Sequence, residues 1–428
     1  MKMVPMERAM PAMEVDIRER ILVDLGTSSL NAPRVQAVGP DANPALVAHP
    51  IYETLALNAW ECRALGSNFQ RIGPLFSRLK RDEEDIARDN SGVDWLWSDG
   101  FPAQLGHPLE KAAWPAIACH PRPCLPEEMQ IADVSAGAHI VADAPCPGLL
   151  DTCFALRNGW RFLDDITGDW QVASALLDWA LETCAAAYEH MLSAAPVQPD
   201  IVIYGDDLGF QGGMYLSDTD FRHFVLPRLK TLISRIRAKT DAVIVLHSCG
   251  GVRSILGDLV ALGIEGLNLD FYAKGMEIAA IRKAIPKDMI LHGPVDLGVL
   301  GRAARRRDRA AVASHAMQIA AAGRHIASAP DNISERGFLD ECVAGAAAVR
   351  ALDTDDLRAL RRTGPVKSII EKMIATAEAF EMPEISGETP RVASVTRTHS
   401  PQGIEGGASQ PRYTAATSGA ASHGRCAD

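Results

Sequence analysis

Seven short apolar runs, each followed by a stretch of helical periodicity, constrain the fold of this chain more than any other feature. They are Ile21–Gly26, Ala138–Asp143, Asp200–Asp207, Ala242–Gly251, Gly266–Asp270, Met289–Gly293 and His325–Asn332. Apolar runs of this length, bounded by turn formers, read as buried strands, and their alternation with helices gives a parallel sheet with helices outside it. With one more strand allowed for in the weakly patterned first third, the chain is expected to form a (β/α)8 barrel of the TIM type. The first run is not followed by Gly-x-Gly-x-x-Gly, which removes the main support for an open dinucleotide-binding sheet. The expected organisation is an N-terminal extension over 1–20, a barrel over 21–386 and a tail over 387–428. The tail is rich in Ser, Thr, Gly, Pro and Ala, buries too little to offset its ordering entropy, and is expected to be disordered.

Between the runs, apolar spacing of three and four predicts helix over Tyr52–Ile86. It also predicts a long helix over Gly168–Leu192 with Val172, Leu176, Trp179, Ala180, Cys184 and Tyr188 facing inward. Trp170 and Trp179 are both expected in the core, and Asn90–Pro108, with three glycines and two prolines, as loop. Ser217-Asp-Thr-Asp220 reads as a capping box, and Pro227 should kink the helix behind it, because proline lacks a backbone donor. Cys119-His-Pro-Arg-Pro-Cys124 is expected to be loop rather than a metal knuckle, and the five arginines of Arg302–Arg309 a solvated helix face. A last helix is predicted over Val366–Phe380.

A formal charge of −11 argues against nucleic acid as a partner, since phosphate-backbone binding needs a concentrated positive surface. No run approaches the roughly 18 apolar residues of a membrane span, and the start lacks the apolar stretch of a secretion signal, so a cytoplasmic protein is expected. Nine cysteines without a tight framework suit reduced thiols. The sequence leaves a homo-oligomer open.

Where parallel strands end, their polar residues converge. Asp206, Asp207, His247, Cys249, Asn268, Asp270, His292 and Asp331 all occupy such ends. In Ala242-Val-Ile-Val-Leu-His-Ser-Cys-Gly-Gly251, residues i and i+2 project from one face, so His247 and Cys249 should point together at the barrel mouth. Imidazole beside thiolate suits zinc. A buried thiol next to a hydrogen-bonded histidine satisfies the same spacing. Asp206 and Asp207 could provide a ligand, a base or an orienting bond, or they could cap a helix and fix a loop.

Five blocks, in order, resemble the uroporphyrinogen decarboxylase superfamily: Asp206-Asp-Leu-Gly-Phe-Gln-Gly-Gly-Met214, Phe221-Arg-x-Phe-x-x-Pro-Arg228, Leu246-His-Ser-Cys-Gly250, Ala273-Lys-Gly-Met276 and Pro330-Asp-Asn-Ile333. The resemblance spans about residues 20–380 and implies a TIM-type barrel. It lacks the N-terminal arginine block of porphyrinogen decarboxylases and is closest to the zinc-containing, corrinoid-dependent methyltransferases, whose His-x-Cys block His247 and Cys249 match. That branch implies zinc on His247, Cys249 and a later ligand, where this chain has Asp331 in place of cysteine. It also implies a corrinoid carried by a partner protein. Asp206, Asp207 and His292 are then catalytic candidates, and Gln211, Asn268, Tyr272 and Asn332 candidates for binding a small methyl donor or acceptor. Cys342 is an alternative ligand, but it falls in an expected helix after the strand end and reads as a structural thiol. A metal-free decarboxylase-type lyase acting on another acid and a non-catalytic binding barrel are the alternatives.

Overall fold

The computed structural model describes residues 13, 20–25, 65–74, 86–89, 91–98, 101–123, 129–130, 137–195, 197–329 and 336–380. The expected tail, Cys124, Asp331 and Asn332 lie outside them. Eight parallel strands form a nearly closed barrel: β1 (Leu22–Asp24), β2 (Phe69–Pro74), β3 (His139–Ala142), β4 (Ile201–Gly205), β5 (Val243–Ser248), β6 (Gly266–Leu269), β7 (Ile290–Asp296) and β8 (His325–Ser328). Pairing runs in sequence order from β2 to β8, and β8 returns to pair with β1. The seam between β1 and β2 is bridged just before β2. The Asn68 amide N–H donates to the Val23 carbonyl at 2.7 Å, and the Val23 N–H donates to Asn68 Oδ1 at 2.9 Å.

Helices α1 (Leu149–Arg157), α2 (Gly159–Gly168) and α3 (Trp170–Ala194) follow β3. Later come α4 (Leu226–Arg237), α5 (Leu256–Val260), α6 (Ile278–Ala284), α7 (Leu297–Arg305), α8 (Arg309–Ala322), α9 (Arg336–Arg350), α10 (Thr354–Thr363) and α11 (Lys367–Ala379). No helix among the described residues is long and apolar enough to cross a membrane.

Strand alternation sorts the core into two layers. Leu22, Phe69, Val141, Ile201, Ile203, Val243, Val245, Ile290 and Ile326 fill the barrel interior, while Val202, Tyr204, Ile244, Leu246 and Leu291 pack outward against the helices. The α3 stripe is buried as expected, including Trp179, whose indole N–H donates to the His120 carbonyl at 2.8 Å. Trp170, expected in the core, is 59% exposed. It is the first residue of α3, at the helix end rather than within the packed stripe.

Two further expectations are overturned. Within Tyr52–Ile86, where helix was expected, the described residues hold the strand β2, which was hidden because Phe69 and Ile72 are three apart, as on a helix, yet they occupy opposite faces of the strand. Asn90–Pro108 is not a loop throughout. Asp94–Ser98 pairs antiparallel with both Ile86–Arg88 and Phe101–Gln104, and Gly92 lies in the turn between the first two, its N–H donating to the Asp89 carbonyl at 3.0 Å. The Ser217 cap is present, its hydroxyl accepting from the Asp220 N–H at 3.1 Å. Ahead of Pro227 the helix widens instead of simply bending. Residues Phe221–Val225 are π-helical, and the Leu226 N–H donates to the Phe221 carbonyl, five residues back. The Arg302–Arg309 arginines lie on a solvated face, where Arg302, Arg307 and Arg309 pair with Glu341, Glu378 and Glu371. Cys342 is buried in α9.

His325, at the start of β8, is a buried group with a measurable consequence. Burial, aided by the charges of Arg282 and Arg361, pushes its imidazole down to about 4, against an ordinary 6.5. The unfolded chain therefore binds a proton between these values that the native chain does not, so stability falls as pH drops from 6.5 towards 4. The loss is about 3 kcal/mol at about 1.4 kcal/mol per unit. Urea melts at pH 7 and pH 4.5 should show this fall, and His325→Phe should remove most of it. An unchanged pH slope in the variant would refute the assignment.

Candidate metal centre

The strands that build the barrel also determine what lines its mouth. In seven of them a residue of the interior layer is followed, two positions on, by a polar residue on the same face: Leu22 by Asp24, Phe69 by Arg71, Val141 by Asp143, Val245 by His247, Gly266 by Asn268, Ile290 by His292 and Ile326 by Ser328. The apolar layer is thus capped by a polar layer at the carboxyl ends of the strands, where barrels of this kind carry their sites.

Within this layer Asp207, His247 and Cys249 converge. One ligand atom from each lies within 4.8 Å of the others. The Cys249 sulfur is 3.5 Å from His247 Nε2, and Asp207 Oδ1 is 3.6 Å from the same nitrogen. The backbone holds the three together. The Cys249 N–H donates to Asp207 Oδ1 at 2.9 Å, and the Leu208 N–H to the Ser248 hydroxyl at 3.0 Å. Gly250 then turns the chain with φ +78°, and a Cβ there would lie 2.3 Å from backbone atoms of Gly209 and Phe210. Only glycine combines that torsion with that approach. Asp207 and His247 are buried and Cys249 is partly exposed, so the cluster is reached from solvent at its sulfur.

Burial alone would raise the Asp207 carboxyl, but the hydrogen bonding and charge of His247 and the Cys249 amide hold it down at about 2. Burial alone would depress His247; the Cys249 sulfur and the Asp207 carboxylate raise it well above its ordinary value. Burial raises the Cys249 thiol. An oxygen, a nitrogen and a sulfur donor suit a borderline ion such as zinc, and three protein ligands leave a fourth position for substrate.

His247 begins a chain of bonds across the mouth. Its Nδ1 lies 2.8 Å from Asn268 Oδ1, Asn268 Nδ2 lies 2.7 Å from His292 Nδ1, and His292 Nε2 lies 3.0 Å from Asp24 Oδ2. Arg71 grips Asp24 through both carboxylate oxygens, Nη2 to Oδ2 being 2.7 Å, and its Nε is 3.2 Å from Asp143 Oδ2.

Other candidate residues fall elsewhere. Asp206 is fully buried behind the mouth, where it accepts from the Leu150 and Asp151 amides at the start of α1, at 2.9 and 3.1 Å, and from the Tyr204 hydroxyl at 2.8 Å. Burial pushes its carboxyl up to about 6, with those donors pulling the other way. Helix capping, not exposure to a reactant, describes it. Gln211 donates to Asp270 at the rim, and Tyr272 is exposed there, its hydroxyl 3.2 Å from Asp296. Asn268 is buried in the bonded chain rather than open to solvent. Four mouth residues escaped sequence reasoning: Asp24, Arg71, Asp143 and Ser328. Asp24, Asp143 and Ser328 lie within the recognised runs, so the apolar-x-polar step was there to find; Arg71 lay on the hidden strand.

Residues 155–331 match the family model described as Uroporphyrinogen decarboxylase (URO-D). No curated protein sequence matches the chain. Among solved structures, the chain is similar to a methyltransferase from Methanosarcina mazei, with a TM-score of 0.49 and 18% identity over 76% of this chain and 93% of that one.

Proposed function

We propose that this chain, which carries a uroporphyrinogen decarboxylase family domain over residues 155–331, is a zinc-dependent methyltransferase that moves a methyl group between a small substrate and a corrinoid held by a partner protein. The observation that carries this reading is the convergence of Asp207, His247 and Cys249 at the carboxyl ends of β4 and β5. The corrinoid partner rests on the resemblance of the His-x-Cys block alone. Zinc bound there would act as a Lewis acid, stabilising a substrate thiolate at neutral pH or polarising a leaving group.

The chain's own residues would do the rest. Asp207 supplies negative charge and, through its bond to the Cys249 amide, fixes the sulfur's position. His247 is oriented by Asn268. Gln211 and Tyr272 at the rim would contact substrate as it enters. Asp331, outside the described residues, is a further candidate ligand, and Asn332 beside it a further candidate substrate contact. A lyase acting on another carboxylic acid would need a cation free to hold that carboxylate, and Arg71 is already engaged by Asp24 and Asp143.

Protein stripped by a chelator and titrated with zinc should bind one ion per chain, and the zinc-loaded form should convert added cob(I)alamin to methylcobalamin in the presence of a methylated thiol or amine. No zinc bound at stoichiometric concentration would refute the reading. Asp331→Ala and Asp331→Cys divide the ligand question. A ligand predicts retained zinc for the Cys variant and a loss exceeding roughly 10 to 100-fold for the Ala variant. A substrate contact predicts normal zinc and lost turnover for Ala.

A further inference from the structure

We infer that Arg71, Asp24, His292 and Asn268 form a positioning chain across the barrel mouth that fixes the ring proton of His247 on Nδ1 and leaves Nε2 to face Asp207 and Cys249. The inference deepens the zinc reading and rests on it for its purpose, though not for its geometry.

Donor and acceptor roles give the chain a direction. Asp24 has no exposed surface and is gripped by both terminal nitrogens of Arg71. Burial would raise this carboxyl, but the Arg71 guanidinium holds it well below the usual range, so Asp24 is an acceptor. The nitrogen facing it, His292 Nε2 at 3.0 Å, must then be the N–H. In a neutral imidazole one nitrogen donates and the other accepts. His292 Nδ1 is therefore the acceptor, and Asn268 must present its Nδ2 amide to it, at 2.7 Å. That turns the Asn268 carbonyl oxygen towards His247 Nδ1, which must donate at 2.8 Å.

With the His292 ring neutral, each role follows from the one before it. An arginine on β2 thereby decides the proton position of a histidine on β5, on the other side of the barrel. Asn268 and His292 are both buried, so water does not substitute for either partner. A ligating histidine needs its lone pair directed at the metal and its other nitrogen anchored. The chain supplies the anchor on Nδ1 before any ion arrives, so that Nε2 is the nitrogen left for a metal. Asn268 and His292, candidates for substrate binding and catalysis on sequence grounds, become positioning residues here.

The test reads ring nitrogens directly. In the 15N spectrum of histidine-labelled, metal-free protein, His247 should carry a proton on Nδ1 and His292 only on Nε2; zinc loading should leave the His247 Nδ1–H in place. His292→Gln keeps a donor for Asp24 and an acceptor for Asn268, whereas His292→Leu keeps neither. The Gln variant should retain the His247 Nδ1–H and bind zinc within a few-fold of the native chain. The Leu variant should lose the fixed proton position and bind roughly 10 to 100-fold more weakly. A His292 proton on Nδ1, a His247 proton on Nε2 alone, or equal zinc affinities in the two variants would overturn the inference. If the native chain takes up no zinc, the metal reading fails, while the ring-nitrogen assignments still decide whether the chain sets the proton.

Discussion

Cys249→Ala is expected to lower zinc affinity well beyond the roughly 100-fold typical of losing an outer partner, because it deletes the one sulfur donor of the cluster. Methyl transfer should fall with it. His247→Ala should do the same, with an added cost: it strands the Asn268 carbonyl oxygen, now without the N–H it accepts from. A competition titration against a chromophoric chelator measures the affinity, and a melting curve confirms that each variant is folded. Cys249 is partly exposed and makes no core contact of the kind Val245 does, so its removal should shift the melting temperature little. Native zinc affinity in a folded Cys249→Ala protein would exclude this cluster as the metal centre.

Gly345→Val is expected to cost about 3 kcal/mol or more and could prevent folding at 37 °C. In the crossing of α7 on α9, a Cβ at Gly345 would sit 2.0 Å from the Leu297 carbonyl oxygen, and one at Gly301 would sit 1.9 Å from the Glu341 carbonyl oxygen. Both obstacles are backbone atoms, which cannot rotate away. Overpacking ordinarily costs about 1 to 3 kcal/mol, and more where nothing can give. This contact closes the barrel wall, since α9 packs on α7 and α11 behind β1 and β8. Gly337→Ala, at a position in the same helix where a Cβ would meet nothing, is the control. Urea midpoints of the two variants check the expectation. Equal midpoints would show that the helices can separate at little cost.

The sequence was most legible where one residue type repeats at strand spacing. Ile201–Gly205 and Val243–Ser248 are continuous apolar runs because both of their faces are buried, one in the barrel and one under helices. A run of that kind shows itself without any structure. Phe69–Pro74 did not, because Gln70 and Arg71 interrupt it. Arg71 is held there by a partner distant in sequence, Asp24, 47 residues away.

For the site, the i, i+2 rule placed His247 and Cys249 together, and the sulfur does lie 3.5 Å from the imidazole. Spacing could not distinguish Asp206 from Asp207. Adjacent residues leave a strand end in opposite directions, one towards the Leu150 amide at the start of α1 and one towards the Cys249 amide. Their order in the chain does not say which helix start lies nearby.

The sequence by itself therefore determined the barrel, its polar mouth and the His247–Cys249 pair, because period and strand ends are local properties of the chain. Only the tertiary structure decided that Asp207 joins them, that Asp206 does not, and that Arg71, Asp24, His292 and Asn268 are joined in one line to His247. Those assignments depend on which strands become neighbours when the sheet closes, and closure brings together residues as far apart as Asp24 and His292, 268 positions along the chain.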